Sequence, residues 1–277
     1  FLLASNMAVS LAAGLLTVAA SRLLGVAGDP RYPLLAAGYI LAMHNLNRFQ
    51  QIRAKQISDP VKAYFVQRHR NVLLGLSFAA LAGAVLLAAS LGVLPLLTVL
   101  AISALGMMYG MEKAPDIPLV GRLKGIPGSK TAAIALAWAV VAVLLPVLGS
   151  HEPLLPSHIG WTLALVFVLV FVRCALFDVL DIHGDRLVGR ETLPVLLGEA
   201  KMLALVHKVL AVVLLLFVLL PFAGWLPTLA WWLAPAVLMM DLLARLYERK
   251  KLPPGPRFEL FLEGVFALMA LLAWLGS

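Results

Sequence analysis

What most constrains this chain is its hydropathy pattern. Long apolar runs follow one another from end to end, each closed by Gly, Pro or a cluster of charge. A helix needs roughly 20 mainly apolar residues to cross the hydrocarbon core of a bilayer. Inside that core every backbone polar group must find its partner within the segment, so helices are expected and open sheets are not. The runs predict nine helices, at about 2–25, 32–49, 71–93, 95–110, 131–149, 160–181, 203–223, 226–247 and 257–276. Pro95 marks a break between the third and fourth, and Gly224 with Pro227 one between the seventh and eighth. The chain is 62% hydrophobic and only 13% charged, against roughly 25% charged in soluble domains. The expected fold class is therefore an all-α integral membrane protein, with residues 1–277 forming a single transmembrane domain. The opening segment lacks the basic stretch of a signal peptide and reads as the first span.

Charge alternates from one connection to the next. After the second run come Arg48, Arg53, Lys55, Lys62, Arg68 and Arg70 against Asp59; after the fourth come Lys113, Arg122, Lys124 and Lys130. Arg186, Arg190 and Lys201 follow the sixth, and Arg249, Lys250, Lys251 and Arg257 the eighth. The intervening connections hold almost no Lys or Arg. The positive-inside rule makes the four basic connections cytoplasmic, which puts the amino terminus inside and the carboxyl terminus outside, as an odd number of spans requires. A bacterial or archaeal cytoplasmic membrane is the expected location, with membrane lipids as neighbours. Orientation accounts for the +8 net charge, so no nucleic-acid partner is expected. Trp161, Trp225, Trp231, Trp232 and Trp274 fall near helix ends on the outer side, as an aromatic belt does. The single cysteine, Cys174, excludes an intrachain disulfide framework and a cysteine-rich metal site. Nucleotide-loop, Ser/His/Asp and zinc-type spacings are absent.

The stretch richest in chemistry closes the sixth run: Phe177-Asp178-Val-Leu-Asp181-Ile-His183-Gly184-Asp185-Arg186-Leu-Val-Gly189-Arg190. At about 100° per residue, offsets of three, four and seven put Asp178, Asp181 and Asp185 on one face of a helix. Three like charges repel one another and are costly to desolvate near a membrane. A divalent cation offsets both costs, and Mg²⁺ in particular combines a few carboxylates with the oxygens of a bound phosphate group. The plainer alternative is a solvated turn whose acids pair with Arg186 and Arg190.

The segment continues as Glu191-Thr192-Leu193-Pro194-Val195-Leu196-Leu197-Gly198. From about Arg173 to Gly198 it resembles the second aspartate-rich motif of the UbiA superfamily of intramembrane prenyltransferases, D-x-x-D-x-x-G-D-x-x-x-G-x-x-T-L-P-V-x-L-G. That resemblance implies a nine-helix bundle that binds an isoprenyl diphosphate through Mg²⁺ and transfers the prenyl group to an acceptor, often an aromatic, quinone or pigment precursor. It also implies that Asp178, Asp181 and Asp185 are the metal-binding and catalytic acids. The first motif of the family is N-x-x-x-D-x-x-x-D. Here Asn47, Arg48, Asp59 and Pro60 match its extended form, but Gln51 and Lys55 stand where the family has aspartates. Gln51 offers a neutral oxygen; protonated Lys55 cannot ligate a cation and would oppose Mg²⁺. One metal site is therefore expected.

Two readings follow. In one, Lys55 replaces a metal and the chain is an enzyme. In the other, it is a catalytically impaired membrane subunit that binds a lipid, quinone or pigment, or scaffolds a larger membrane complex. In the enzyme reading Arg48, Lys55 and Lys124 neutralise the diphosphate while Asn47 and Gln51 hydrogen-bond to it. After the fourth run, Tyr109-Gly110 and Gly121-Arg122-Leu123-Lys124-Gly125-Ile126-Pro127-Gly128-Ser129-Lys130 resemble the family's Y…LK-x-I-P-x-x-K loop. This places Lys124 and Lys130 as further diphosphate contacts, or simply as the basic residues of a cytoplasmic loop. Arg173, five residues before Asp178 in an apolar run, is expected to orient the acids or to reach toward the interface. His44 and His183 are expected to be hydrogen-bonded structure, His207 with Lys208 interfacial, and Glu259 with Glu263 structural ion-pair partners near Arg257.

Overall fold

The computed structural model describes residues 2–26, 28–50, 60–110, 126–150, 152–187, 189 and 191–277, and is helical throughout its regular structure. The helices are α1 (Met7–Leu24), α2 (Arg31–Gln50), α3 (Pro60–Arg68), α4 (Arg70–Leu91) and α5 (Val93–Gly110). They continue as α6 (Ser129–Gly149), α7 (Pro156–Leu180), α8 (Ile182–Leu187), α9 (Leu193–Leu197), α10 (Glu199–Leu219), α11 (Leu229–Glu248) and α12 (Pro256–Leu275). Among the described residues, eight helices are long and apolar enough to cross a membrane. The remaining long one, α2, has 20 residues but falls short in hydropathy because its last turns carry His44, Asn45, Asn47 and Arg48. These nine long helices coincide with the nine predicted runs. Between Arg48 and Arg70 the sequence suggests only a loop, whereas Pro60–Arg68 forms α3, with Pro60 in the first helical position where its missing N–H is not needed. The break expected at Pro95 falls at Gly92, whose φ of 131° favours glycine; Pro95 lies inside the first turn of α5.

Helix α1 is the most buried of the eight candidate spans, at 72%. It packs against α2, α12 and the middle of α6. Its sequence, MAVSLAAGLLTVAASRLL, is rich in small residues, which let membrane helices approach closely without an aqueous hydrophobic driving force. At Gly14 an added Cβ would come within 3.0 Å of the Pro33 carbonyl oxygen, so α1 and the start of α2 are nearly in backbone contact there. Around this centre α2 leans on α4, α6 on α7, α10 on both α7 and α11, and α11 on α12. Helix α6 widens into a π turn at Val140–Leu144 just before Pro146. Proline has no N–H to return to the carbonyl four residues back, and the wider turn absorbs that loss.

The two ends of the bundle differ. At one end Trp161 stacks on Trp225 with ring centroids 5.8 Å apart, Trp231 Nε1 donates to the Val218 carbonyl at 2.9 Å, and Arg22 donates to Ser277. At the other end the start of α1, the end of α2, the start of α6, the end of α7 and the start of α12 surround one polar cavity. The helix ends that flank the four basic connections thus meet on one side of the bundle, and the belt tryptophans lie on the other.

Candidate functional site

The cavity has a volume of about 250 Å³. Asp178, in the last turn of α7, and Asp181, just past its end, line the wall together with Arg48 from α2, Lys62 from α3 and Lys130 from α6. Asp178 accepts a hydrogen bond from Thr131 Oγ1 at 2.7 Å, which fixes its carboxylate toward the start of α6. Helix α7 ends one residue before Asp181, whose N–H still bonds to the Phe177 carbonyl at 3.0 Å with φ −91° and ψ 4°. The chain then re-enters a helix, α8, where the Asp185 N–H bonds to the Asp181 carbonyl at 2.9 Å. The continuous helix face expected for the three acids is therefore interrupted. Asp178 and Asp181 line the cavity; Asp185 is buried, 4% exposed, and does not line it.

Arg173 lies deeper on α7. Its guanidinium is ion-paired with Glu263 of α12 and not with Asp178 or Asp181, and both side chains are almost fully buried, 5% and 4% exposed. The expected role in orienting the acids gives way to this partner, which lies 90 residues away in sequence. The guanidinium also sits over two aromatic rings, 5.2 Å from the Trp138 centroid and 4.5 Å from that of Phe177. The other expected pair member, Glu259, bonds to Lys62 at 2.7 Å and so ties α12 to α3 at the cavity mouth. Both glutamates are structural partners, as the sequence suggests, but across helices and not with Arg257.

Arg48 anchors the amino-terminal segment, donating to the Ala4 carbonyl and to Asn6 Oδ1. Asn45, 1% exposed, completes that corner by accepting from Asn6 Nδ2 at 2.8 Å and donating to the Ser5 carbonyl at 3.3 Å. This network, which sequence reasoning missed, presses residues before α1 against the end of α2 and leaves Arg48 on the cavity wall. Asn47 faces a neighbouring pocket of about 80 Å³ instead, together with Tyr39, Gly106 and Tyr109. That pocket shares His44, Lys130 and Ile134 with the main cavity. Tyr109 bonds to Ser129 at 2.5 Å, and His44 accepts from Trp138 Nε1 at 3.4 Å. His183 is exposed and outside the cavity lining. Gln51, Lys55 and Lys124 lie outside the described residues. Between α10 and α11, His207 Nδ1 meets Asp241 Oδ1 at 2.5 Å and Asp241 Oδ2 accepts from Arg245 Nε at 2.6 Å, apart from the cavity.

Four basic side chains (Arg48, Lys62, Lys130, Arg173) and four acidic ones (Asp178, Asp181, Glu259, Glu263) line the cavity, so its formal charge is balanced. A divalent cation held there would make the site net positive and suited to an anionic diphosphate. The two carboxylates at the mouth supply hard oxygen donors, which match Mg²⁺. Among the described residues no group of three or more His, Cys, Asp or Glu is placed to hold a metal unaided. Mg²⁺ commonly completes its shell with water and substrate phosphate oxygens, so two carboxylates fit it.

The model of the UbiA prenyltransferase family matches residues 66–266. The chain belongs to that family. Among solved structures, it is similar to a UbiA homologue from Archaeoglobus fulgidus bound to GPP and Mg²⁺, with a TM-score of 0.70 and 16% identity over 99% of this chain and 98% of that one. It is equally similar to an apo UbiA homologue from Aeropyrum pernix K1, with TM-score 0.70 and 16% identity over 95% and 96% of the two chains. A digeranylgeranylglyceryl phosphate synthase is similar at TM-score 0.58 and 12% identity, over 98% and 97%. No curated protein is a significant match. These likenesses agree with the nine-helix UbiA-type bundle read from the sequence.

Proposed function

We propose that this UbiA-family protein binds an isoprenyl diphosphate with one Mg²⁺ and transfers the prenyl group to a lipid-soluble acceptor. The observation that carries the proposal is the meeting, in one cavity, of Asp178 and Asp181 with Arg48, Lys62 and Lys130 at the basic end of an apolar bundle. Mg²⁺, when bound, neutralises diphosphate charge and so makes the diphosphate a better leaving group. The chain's own residues do the rest. Asp178 and Asp181 position the metal-binding oxygens, and Thr131 holds Asp178 in place. Arg48 and Lys130 stabilise the negative charge that grows on the diphosphate as the allylic C1–O bond breaks and the bonding pair leaves with oxygen. Fixed charges directed at developing charge in a site with little water are the strongest catalytic contribution available here. The prenyl carbon then bonds to the acceptor, which releases a proton. Gln51 and Lys55, at the positions of the family's first acid pair, complete the site in this reading, with the Lys55 ammonium in place of a second metal. The cavity end faces the cytoplasm, which follows from the basic connections gathered there and puts the amino terminus inside.

The experiment is release of inorganic diphosphate from dimethylallyl or geranyl diphosphate, in the presence of an acceptor-containing lipid extract. The wild-type chain should release it in a Mg²⁺-dependent way and Asp181→Asn should not. Equal, background-level release by both would favour the non-catalytic reading that Gln51 and Lys55 raise.

A further inference from the structure

The ion pair at the bottom of the cavity has no part in the chemistry above, yet it determines what fits beneath the diphosphate. We infer that Arg173 and Glu263, held by Trp138 and Phe177, form a floor that limits the prenyl chain to one or two isoprene units. This inference rests on the prenyl diphosphate reading of the same cavity.

Position on α7 gives the depth. Arg173 precedes Asp178 by five residues and Asp181 by eight, so at 1.5 Å per residue its Cα lies about 7–12 Å below the carboxylates that mark the diphosphate end. The floor is built from four helices. Arg173 and Phe177 come from α7, Glu263 from α12, Trp138 from α6, and His44 of α2 accepts from the Trp138 ring nitrogen. Trp138 is in turn backed by Phe266, with ring centroids 6.0 Å apart. A side chain caged on this many sides does not swing away to admit a ligand. An entering methylene chain would have to part the guanidinium from its carboxylate and offer neither charge anything in return, which is the costly way to disturb a buried pair.

Volume points the same way. The cavity's 250 Å³ is below the roughly 300–1,000 Å³ typical of sites for drug-sized ligands, and a diphosphate must take part of it. The adjoining pocket adds about 80 Å³. Beside the floor lies a larger, outward-facing apolar space. A groove of about 520 Å³ runs between α1, α11 and α12, lined by Leu11, Leu15, Met239, Leu260 and Phe261, and Glu263 borders this groove as well as the cavity. Glu263, held by Arg173, is thus the wall shared by a small polar cavity and an outward-facing apolar groove. Removing it should join them.

The test measures Mg²⁺-dependent binding of dimethylallyl, geranyl, farnesyl and geranylgeranyl diphosphates to the full chain in nanodiscs by titration calorimetry. In the wild type, affinity should fall at least about tenfold between geranyl and geranylgeranyl diphosphate, the scale on which a closed apolar pocket rejects surplus methylenes. The charge-balanced double variant Arg173→Ala/Glu263→Ala should remove most of that fall, and Trp138→Ala, which leaves the ion pair in place, should remove part of it. A flat wild-type series overturns the inference, because the pair would then only tie α7 to α12. So does a folded double variant that keeps the wild-type length preference. If neither variant folds, the wild-type series alone decides. Failure to bind any prenyl diphosphate is a different result: it refutes the function proposed for the cavity, and the chain-length limit falls with it.

Discussion

Replacing Glu263 by Leu leaves the Arg173 guanidinium, 5% exposed, inside the bundle without its carboxylate. Arginine cannot shed its proton in a protein, so the charge stays. Removing one partner of a buried pair costs about 3–5 kcal/mol. The Trp138 and Phe177 rings at 5.2 and 4.5 Å face the guanidinium in wild type and variant alike, so their cation–π attraction cancels and a loss of about 3–5 kcal/mol is expected for Glu263→Leu. Arg173→Leu loses both the pair and the ring contacts and should lose at least as much. The double change Arg173→Leu/Glu263→Leu replaces the pair with apolar volume, an exchange that is often neutral, and should lie within about 1 kcal/mol of wild type. The coupling between the two sites should then be at least about 2 kcal/mol, within the range found for residues in one network. Thermal unfolding in detergent or nanodiscs reads this cycle, with each kcal/mol worth roughly 2–4 °C in a chain of this size. If the double variant loses as much as the two single variants together, the losses add, the ion pair is not the coupled unit described, and the reasoning fails.

Thr131→Val should leave the fold intact but weaken Mg²⁺ binding about 10–100-fold, because the hydroxyl that positions Asp178 is lost; Thr131→Ser should restore it, and metal titration with inorganic diphosphate present measures both. Asn45→Leu should lower stability by about 1–3 kcal/mol by leaving the Asn6 amide without its buried acceptor, and the same substitution should raise the protease sensitivity of the amino-terminal segment that Arg48 and Asn45 hold.

Most of the fold was legible because a bilayer leaves a helical chain few alternatives. Apolar length located the nine long helices of the described residues, even α2, whose polar end supplies His44 and Arg48 to the cavity. The alternation of Arg and Lys among connections anticipated which helix ends would meet. The two cavity acids, Asp178 and Asp181, were legible from spacing and motif. The misjudgements arose where a contact spans distant sequence or a helix stops. Nothing near Arg173 in sequence names Glu263 as its partner. The helix stops at Leu180 and resumes at Ile182, and periodicity cannot register such a break without a Gly or Pro to signal it. Helix α3 is short and has low hydropathy, so its nine residues read as a charged loop. The Asn6–Asn45–Arg48 corner carries only a faint signal, two asparagines and an arginine at two helix ends far apart in sequence, which need partners wherever they are buried.

The most direct measurement of the central claim is calorimetric titration of dimethylallyl diphosphate into the purified chain, with and without Mg²⁺. The same titration is repeated on Asp178→Asn/Asp181→Asn, whose near-identical shape keeps the cavity while removing both charges. The account predicts saturable binding by the wild type that requires Mg²⁺, and loss of that binding in the double variant. Binding of equal strength in both proteins, or in the wild type with Mg²⁺ chelated, would contradict it.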